Sequence, residues 1–243
     1  MPGARKILYG TERVLDAKRE QIRDFLSDWD LDFGTKVRCY VEGETEIGAL
    51  KHATREISGI EYINLRGQVI ASQGKGLSFK DSLKNDLKSK VFSIVFIDAD
   101  RADYVRTLKK AAEEDLITGG FYVAKPDFEF AHFTLEELIN VVLLTAKKLN
   151  ISTTSSKSLL QELRNVASTK EFFKMISKNY PELSAISKGE EWGRSLMKYA
   201  LEHKEDSPLV KAALMTARAT RIKFDYSRRK VRVDSITGEC VKR

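Results

Sequence analysis

Apolar and polar residues follow two different periods along the first 150 positions of this chain. Within residues 36–41 they alternate one by one, which is the period of a β-strand. From Ile47 to Ile57 the apolar residues recur at intervals of three and four, which predicts a helix directly after that strand. A continuous apolar run from Val91 to Ile97 predicts another strand, buried on both faces.

The same periods continue as a regular alternation of strands and helices. Thr134, followed three residues later by Glu137, is the capping-box sequence that begins a helix. Strands that alternate with helices form parallel sheets, so we expect an α/β fold whose mostly parallel sheet is flanked by helices on both faces. The further predicted strands lie at residues 60–65 and 121–124, and the further helices at residues 79–88, 104–116 and 134–149.

The sequence predicts three parts. Residues 1–34 form an N-terminal helical segment, whose amphipathic pattern at 11–30 should cover a flank of the sheet. Residues 35–150 form the α/β domain, which ends near the polar stretch Ser152–Ser156. Residues 151–243 form a smaller, basic, mainly helical C-terminal region with a tail. Its predicted helices lie at residues 157–166, 169–179, 189–204 and 207–220.

Positive charge is concentrated in the C-terminal region. Residues 151–243 hold 19 lysines and arginines against 11 aspartates and glutamates, a net of +8, whereas the whole chain has a formal net charge of +7. Basic clusters attract nucleic-acid backbones because their phosphate contacts release condensed counterions. We therefore expect nucleic-acid binding there, with a merely solvated face as the alternative. The candidate residues are Arg221, Lys223, Arg228, Arg229, Lys230 and Arg232.

A glycine-rich connection at residues 66–76 contains one more basic candidate, Lys75. The connection departs from the phosphate-binding loop of ATPases, because Val69 stands where that motif has glycine and Lys75 is followed by Gly76 instead of Ser or Thr. Two interpretations stay open, a flexible turn and a contact between Lys75 and a nucleic-acid phosphate.

The two cysteines, Cys39 and Cys240, make neither a disulfide framework nor a metal pair. Residues 1–10 lack the apolar core of a signal peptide, and the apolar stretch around Val141–Leu144 is far shorter than the about 20 residues of a membrane span. We therefore expect a soluble, cytoplasmic protein with no membrane partner.

Carboxylates follow three of the predicted strands. They are Glu42 and Glu46 after the first strand, Asp98 and Asp100 after the buried strand, and Asp127 and Glu129 after the strand at 121–124. Gly43 allows the chain to turn sharply between the first two. Because ligands collect beyond the carboxyl ends of strands in open α/β sheets, we expect these side chains to share one crevice.

Neighbouring carboxylates in a partly buried crevice repel one another, and burying them costs several kcal/mol unless a positive group neutralises them. A divalent cation does this most simply, and a ligand set of oxygens alone favours Mg²⁺ or Mn²⁺ over zinc. Taken singly, each acidic residue could be a solvated turn residue or a helix cap, but three acidic strand ends together favour a metal site. We interpret His132 as a packing or surface histidine and Glu44 as facing solvent.

The sequence Val41-Glu42-Gly43-Glu44-Thr45-Glu46, followed by Phe96-Ile97-Asp98-Ala99-Asp100, resembles the Toprim catalytic domain of topoisomerases, primases and certain nucleases. A second glutamate four residues after the first, with the third acidic element at residues 124–130, is similar to the nucleases of the OLD (overcoming lysogenization defect) family. The resemblance covers residues 36–150 well and continues more weakly to about residue 204. In that family a lysine before the last helix assists at the metal site, and Lys188 stands in the corresponding segment.

The resemblance implies a Toprim-like sheet and an endonuclease that hydrolyses DNA, or RNA, by a two-metal mechanism with Mg²⁺ or Mn²⁺. It implies catalytic roles for Glu42, Asp98 and Lys188, with Asp98 bridging the two ions. The implied metal ligands are Glu42, Glu46, Asp98, Asp100, Asp127 and Glu129. OLD-family nucleases usually carry an ATPase domain ahead of the Toprim domain, and this sequence has none, which leaves three alternatives open: the protein acts alone, forms a homo-oligomer, or works with a separate ATPase partner. A role in defence against phage or foreign DNA follows by analogy alone.

Other functions stay open at this point. A nucleic-acid-binding regulatory subunit, or another Toprim protein with an RNA-processing or primase-like role, would have similar carboxylates. A phosphatase of the haloacid-dehalogenase type is disfavoured, because Asp100 is followed by Arg101-Ala102 instead of that family's Thr or Val spacing. A surface lysine beside a helix start is the alternative for Lys188.

Overall fold

A computed structural model describes residues 37–54, 59–66, 79–117, 119–152, 155–219, 231–233 and 240–242. Within these ranges four strands form one sheet: β1 (Val37–Val41), β2 (Ile60–Asn64), β3 (Phe92–Asp98) and β4 (Gly120–Ala124). Their spatial order is β2-β1-β3-β4, and all three neighbouring pairs are parallel. The α/β fold with a parallel sheet, predicted from the alternating periods, is therefore confirmed.

The helices in the described ranges lie close to their predicted positions, except for two short ones that were not predicted, at Phe128–His132 and Pro181–Ala185. Those of the first 150 residues are α1 (Glu44–Thr54), α2 (Phe79–Lys88), α3 (Ala102–Glu113), α4 (Phe128–His132) and α5 (Leu135–Lys148). They are followed by α6 (Ser156–Leu163), α7 (Thr169–Asn179), a 3₁₀ helix (Pro181–Ala185), α8 (Glu190–His203) and α9 (Pro208–Ala219). The capping box of Thr134 and Glu137 is present at the start of α5. No helix among the described residues is long and apolar enough to cross a lipid bilayer.

Helices cover both faces of the sheet. Successive strand residues point to opposite faces and contribute to different apolar clusters. Tyr40 of β1 belongs to an apolar cluster with Leu83 of α2 and Leu108 of α3. Cys39, one position away, belongs to the other cluster, which includes residues of α1 and α5. β1 and β3 are consequently mostly apolar, and β3 is buried along its whole length. The predicted helical cover on both faces is confirmed.

Helices α6 to α9 pack on the same face as α1 and α5. Their apolar residues, among them Leu159, Phe172, Leu196 and Ala213, join the same cluster as Val41 of β1. The proposed division of the chain near residue 150 stays a prediction, since both sides of it contribute to this core. After α9, two short segments, β5 (Val231–Val233) and β6 (Cys240–Lys242), pair antiparallel. The helix predicted at 11–30 lies outside the described residues.

Helices α1 and α8 cross with their backbones in direct contact. A Cβ atom added to Gly193 of α8 would collide with the carbonyl oxygen of Thr45 and stand 2.9 Å from the backbone nitrogen of Ala49, both in α1. A Cβ on Gly48 of α1 would collide in the same way with the carbonyl of Glu190. Only glycine allows so close an approach, because any other residue would place a side-chain atom between the helices.

We expect Gly193→Ala to destabilise the fold by about 3 kcal/mol, the upper end of the usual cost of overpacking, because the obstructing atoms belong to a backbone that cannot rotate away. Urea unfolding monitored by circular dichroism measures this change. Lys198→Ala on the same helix, where the side chain is 66% exposed, is the control and should leave the midpoint unchanged. Equal midpoints for both variants would contradict a tight crossing.

Candidate metal centre

The acidic residues gather at the carboxyl edge of the sheet, where two connections diverge. β1 continues through α1 to β2 on one side, whereas β3 continues through α3 to β4 on the other. Such a divergence between adjacent parallel strands opens a crevice at their carboxyl ends, which is where ligands bind in open α/β sheets. Glu42 follows β1 and Asp98 ends β3, so both stand at this point.

Three carboxylates form the centre of the cluster. Glu42, Asp98 and Asp100 each offer an oxygen, and these oxygens lie within 4.8 Å of one another. Glu42 and Asp98 are buried and Asp100 is exposed. Glu42 is fixed in place because its Oε2 accepts a hydrogen bond of 3.0 Å from the backbone N–H of Asp98. This trio is a site that could hold a metal ion, as the three acidic strand ends had led us to expect.

Two further carboxylates extend the cluster into the protein. Glu46 lies in the first turn of α1 and is 2% exposed, and Glu129 in α4 is completely buried. One oxygen each of Glu46, Asp98 and Glu129 is buried without a hydrogen-bond partner among the described residues. A buried polar atom without a partner is rare in folded proteins, and a bound cation could satisfy all three of these oxygens.

Asp86 shows what a buried carboxylate looks like when its role is structural. It is fully buried near the opposite end of the strands, and it accepts hydrogen bonds from Tyr40 Oη (2.6 Å), Ser93 Oγ (2.8 Å) and the guanidinium of Arg38. Both of its oxygens are thus satisfied by the protein. The acidic cluster differs because the residues that the structure describes supply too few donors for it.

Burial and mutual repulsion raise the pKa of three carboxyl groups in the cluster, those of Glu46, Asp98 and Glu129. The pKa of Glu46 rises to about 8, chiefly because of desolvation and then because of the charge of Asp98. The pKa of Asp98 rises to about 7, again by desolvation first, with Glu42 adding to the shift. Desolvation also raises the pKa of Glu129. Protons would therefore compete with any metal ion for the same oxygens.

Lys188 lies at the edge of this cluster, and its catalytic role stays a prediction. Its Nζ is 3.4 Å from Glu129 Oε2, and its side chain is 34% exposed. Desolvation is the largest influence on its pKa and lowers it, but the attraction of the carboxylates outweighs desolvation and raises the pKa. Lys188 is therefore a cation at neutral pH. The carboxylates that raise its pKa are Glu129, Glu46, Asp98 and Asp127.

Asp127 is engaged differently from the other predicted ligands. It caps α4 by accepting the backbone N–H of Phe130 at 3.1 Å, and it accepts the backbone N–H of Thr169 at 2.8 Å. The Thr169 hydroxyl lies 2.8 Å from Asp127 Oδ1 and 2.9 Å from Glu129 Oε2, and its single proton can serve one of them at a time. Asp127 thus joins the third acidic element to α7, and its role as a metal ligand stays a prediction.

Two residues of the site carry no motif in the sequence. Arg66 follows β2 and donates to Glu42 Oε1 from Nη2 (2.6 Å) and Nε (3.2 Å), while its side chain is 49% exposed. Thr169 reaches the cluster from the start of α7. Arg66 could have been found from topology alone, because the end of β2 lies at the same edge as the end of β1. Thr169 has no such signal, since it is 40 residues from Glu129.

Some of the remaining sequence candidates lie within the described residues and others lie outside them. His132 is 8% exposed and its ring contacts Tyr122 and Phe128, so it is the packing residue we had expected. Glu44 is exposed, also as expected. Arg232 lies in β5, of which only the backbone is described. The other nucleic-acid candidates lie outside the described residues and stay predictions: Lys75, Arg221, Lys223, Arg228, Arg229 and Lys230.

Comparison of the chain with protein-family models, with curated proteins and with solved structures found no match.

The raised pKa values of Glu46 and Asp98 predict how stability depends on pH in EDTA. A carboxyl group whose pKa is raised by folding contributes stability below its unfolded pKa, and this contribution is lost as the pH rises through the folded value. The free energy of unfolding should therefore fall between about pH 4.5 and pH 8, by about 2 kcal/mol or more. Thermal unfolding at several pH values measures it.

Two substitutions in α1 and the addition of Mg²⁺ show whether the fall in stability comes from the acidic cluster. Glu46→Gln should remove part of the fall, because a neutral amide avoids the repulsion, whereas Glu44→Gln on the exposed side should leave it unchanged. Excess Mg²⁺ should restore stability at pH 8, since a ligand that binds only the folded state stabilises it. Identical pH profiles of the parent and Glu46→Gln would contradict the burial of this charge.

Proposed function

We propose that this protein is a divalent-metal-dependent nuclease that hydrolyses phosphodiester bonds of DNA, with a Toprim-like sheet and a catalytic centre of the OLD type. One observation carries the proposal: three buried carboxylates, each with an unpartnered oxygen, lie beside a protonated lysine at the point where the connections of a parallel sheet diverge. Buried carboxylate oxygens without a hydrogen-bond partner attract metal ions, and a nearby ammonium group suits a phosphate substrate.

The donor set fits Mg²⁺ or Mn²⁺, because all the available ligand atoms are oxygens. Glu42, Asp98 and Asp100 would hold one ion, since their oxygens are already within 4.8 Å. Glu46 and Glu129 would hold a second ion together with Asp98, since each has a free oxygen. Bound there, the ions would lower the pKa of a water nucleophile and stabilise the leaving oxygen.

The residues of the chain have separate tasks in this proposal. Asp98 would contact both ions. The hydrogen bond from its backbone N–H to Glu42 fixes the position of Glu42 relative to Asp98. Thr169 orients Glu129 through its hydroxyl group. Lys188 holds its charge where negative charge would develop on the non-bridging phosphate oxygens. Arg66 neutralises part of the charge of Glu42, and its half-exposed guanidinium can also meet a phosphate.

Incubation of the purified protein with plasmid, linear duplex and single-stranded DNA, and with RNA, tests the proposal. We expect cleavage with Mg²⁺ or Mn²⁺ and none with excess EDTA. Comparison among the substrates shows whether the protein cleaves DNA or RNA, and whether it cleaves within a strand or from its end. Undiminished cleavage in EDTA would refute the proposal, and metal-independent binding without cleavage would favour a regulatory, nucleic-acid-binding subunit.

The partners follow from the same proposal. The basic residues 221–232 would contact the phosphate backbone irrespective of sequence, which predicts binding that weakens steeply with salt. A separate ATPase or a second copy of the chain would supply what the ATPase domain supplies in OLD-family nucleases. A function in defence against foreign DNA and a cytoplasmic location rest on this analogy.

A further inference from the structure

Arg66 provides a cation that pairs with Glu42 of the central carboxylate trio. Its Nη2 lies 2.6 Å and its Nε 3.2 Å from the same oxygen, Oε1, while Oε2 of Glu42 accepts the backbone N–H of Asp98 at 3.0 Å. Both oxygens of Glu42 therefore have hydrogen-bond donors. Glu42 thereby differs from Glu46, Asp98 and Glu129, each of which has one buried oxygen without a donor in the part of the chain that the structure describes.

A metal ion held by Glu42 would lie beside this guanidinium. A carboxylate oxygen has two lone pairs, and the two N–H groups of Arg66 occupy both of those on Oε1. Two positive charges on one buried carboxylate also repel each other, because little water is present to screen them. Arg66 and a metal ion would therefore compete for Glu42, and each would bind it better if the other moved away.

The backbone that carries Arg66 is anchored, whereas its side chain is half exposed. The backbone N–H of Arg66 donates to Asn64 Oδ1 at 3.0 Å. The preceding carbonyl group, that of Leu65, accepts the buried hydroxyl group of Tyr104 at 3.2 Å. The side chain of Arg66 is 49% exposed, although Glu42 is completely buried. The guanidinium can therefore turn from Glu42 toward the crevice without any change in the backbone.

Arg101, which follows β3, shows a different arrangement. Its Nε and Nη2 donate to the two oxygens of Asp103 at 3.1 and 3.0 Å, and its guanidinium lies 4.2 Å from the centre of the Tyr104 ring. Asp103 is outside the acidic cluster, so Arg101 has an acidic partner of its own. Arg66 instead pairs with a carboxylate that the candidate metal centre would use.

Arg66 and Lys188 pair with different members of the acidic cluster. Glu42 is the partner of Arg66, and Glu129 lies 3.4 Å from Nζ of Lys188. Desolvation is the largest influence on the pKa of each cation and lowers it, but the carboxylates, Asp98 among them, outweigh desolvation in both cases. A polynucleotide has a phosphate on every nucleotide. A strand whose scissile phosphate lies at the cluster beside Lys188 therefore has further phosphates available to Arg66.

We propose that Arg66 exchanges Glu42 for a phosphate of the nucleic acid next to the scissile one, an inference that rests on the proposed function. A guanidinium binds phosphate and carboxylate through the same planar set of N–H donors, so the exchange replaces one charge-assisted pair by another. Glu42 then becomes available to the metal ions. Arg66 thus positions the substrate and limits metal binding in its absence, and it takes no part in the bond-breaking step.

Two equilibrium measurements on the full chain test this inference without cleavage. Electron paramagnetic resonance of free Mn²⁺ gives the metal affinity in the absence of nucleic acid. Fluorescence anisotropy in EDTA, at several salt concentrations, gives the affinity for a short labelled DNA duplex and for the corresponding single strand. The variants are Arg66→Gln, which removes the charge, and Arg66→Lys, which keeps it. Arg106→Gln, at an exposed arginine of α3, is the matched control, and circular dichroism checks that each variant is folded.

We expect Arg66→Gln to bind Mn²⁺ about tenfold more tightly than the parent and to bind DNA about tenfold more weakly. The slope of log affinity for DNA against log salt should flatten by about one, as for one lost phosphate contact. Arg66→Lys should keep a parent-like slope and Mn²⁺ affinity, and Arg106→Gln should match the parent throughout. A merely structural role would lower both affinities, so changes of opposite sign identify the exchange.

Failure here can be told apart from failure of the proposed function. If Arg66→Gln binds Mn²⁺ no more tightly than the parent, or if its DNA affinity and salt slope equal those of the parent, the exchange is refuted. Metal-dependent cleavage of plasmid DNA by the parent protein would still stand. If the two affinities change in opposite directions but no substrate is cleaved in Mg²⁺ or Mn²⁺, the nuclease proposal fails and Arg66 remains a phosphate contact beside a metal site.

Discussion

Asp98→Asn is expected to lower metal-dependent cleavage by about a thousandfold or more while the protein stays folded. Asp98 interacts with both parts of the cluster, the central trio and the further buried carboxylates. Its oxygen lies within 4.8 Å of those of Glu42 and Asp100, and its pKa responds to Glu129 as well. Asparagine has nearly the same shape but lacks the charge, so the change removes the electrostatic attraction for cations and little else.

The same variant should bind Mn²⁺ more weakly, by about tenfold or more, because one negative charge is lost from the site. Electron paramagnetic resonance of free Mn²⁺ measures this affinity independently of cleavage. Its unfolding free energy in EDTA at pH 8 should be equal to or above that of the parent, since a repulsive buried charge has been removed. Asp206→Asn, at a fully exposed aspartate of the loop before α9, is the matched control.

Cleavage by Asp98→Asn at the parent rate would place the reacting atoms elsewhere. Normal Mn²⁺ binding together with lost cleavage would instead give Asp98 a role in the reaction without a role in holding the ions. These two results are distinguishable because affinity and rate are measured separately, under conditions in which the fold has been checked.

The fold could be predicted from the sequence because its signals are local. β3 is an uninterrupted apolar run, α1 begins directly after a strand and a glycine, and α5 has its capping box in the sequence. In a parallel sheet the carboxyl ends of all strands lie at one edge, so the positions of Glu42, Asp98 and Asp100 followed from the order of the elements. Three acidic strand ends therefore predicted a cluster without any knowledge of the distances.

The rest of the site depends on contacts that leave no period in the sequence. Glu129 follows β4, as expected, but it lies in a short helix that had not been predicted, α4, which Asp127 caps. The pairing of Thr169 with Glu129 and of Arg66 with Glu42 joins residues 40 and 24 positions apart. The first pair is decided by how α7 packs beside α4 and left no signal in the sequence, whereas the second follows from the adjacent ends of β1 and β2 and not from any spacing.

The position of Lys188 depends on two glycines that follow it in the chain. Gly189 has φ 155° and ψ −169°, a conformation that residues with a side chain rarely adopt, and it turns the chain into α8. Gly193, one turn further, allows α8 to lie against the backbone of α1, which carries Glu46. The close crossing thus sets the distance between the lysine and the carboxylates, which explains why a segment so far along the chain reaches the site.

Lys188→Met is expected to lower the cleavage rate by about a hundredfold, a loss of roughly 3 kcal/mol of transition-state stabilisation, while metal and substrate affinities stay near those of the parent. Methionine keeps the length and packing of the side chain but removes the charge that the carboxylates hold protonated. Lys188→Arg should restore only part of the rate, because a planar guanidinium replaces a compact ammonium group poorly. Lys198→Met, at an exposed position of α8, is the control. Single-turnover cleavage with saturating Mg²⁺ measures the chemical step, and a parent-like rate for Lys188→Met would reduce Lys188 to a partner of Glu129 and end the family resemblance near residue 150.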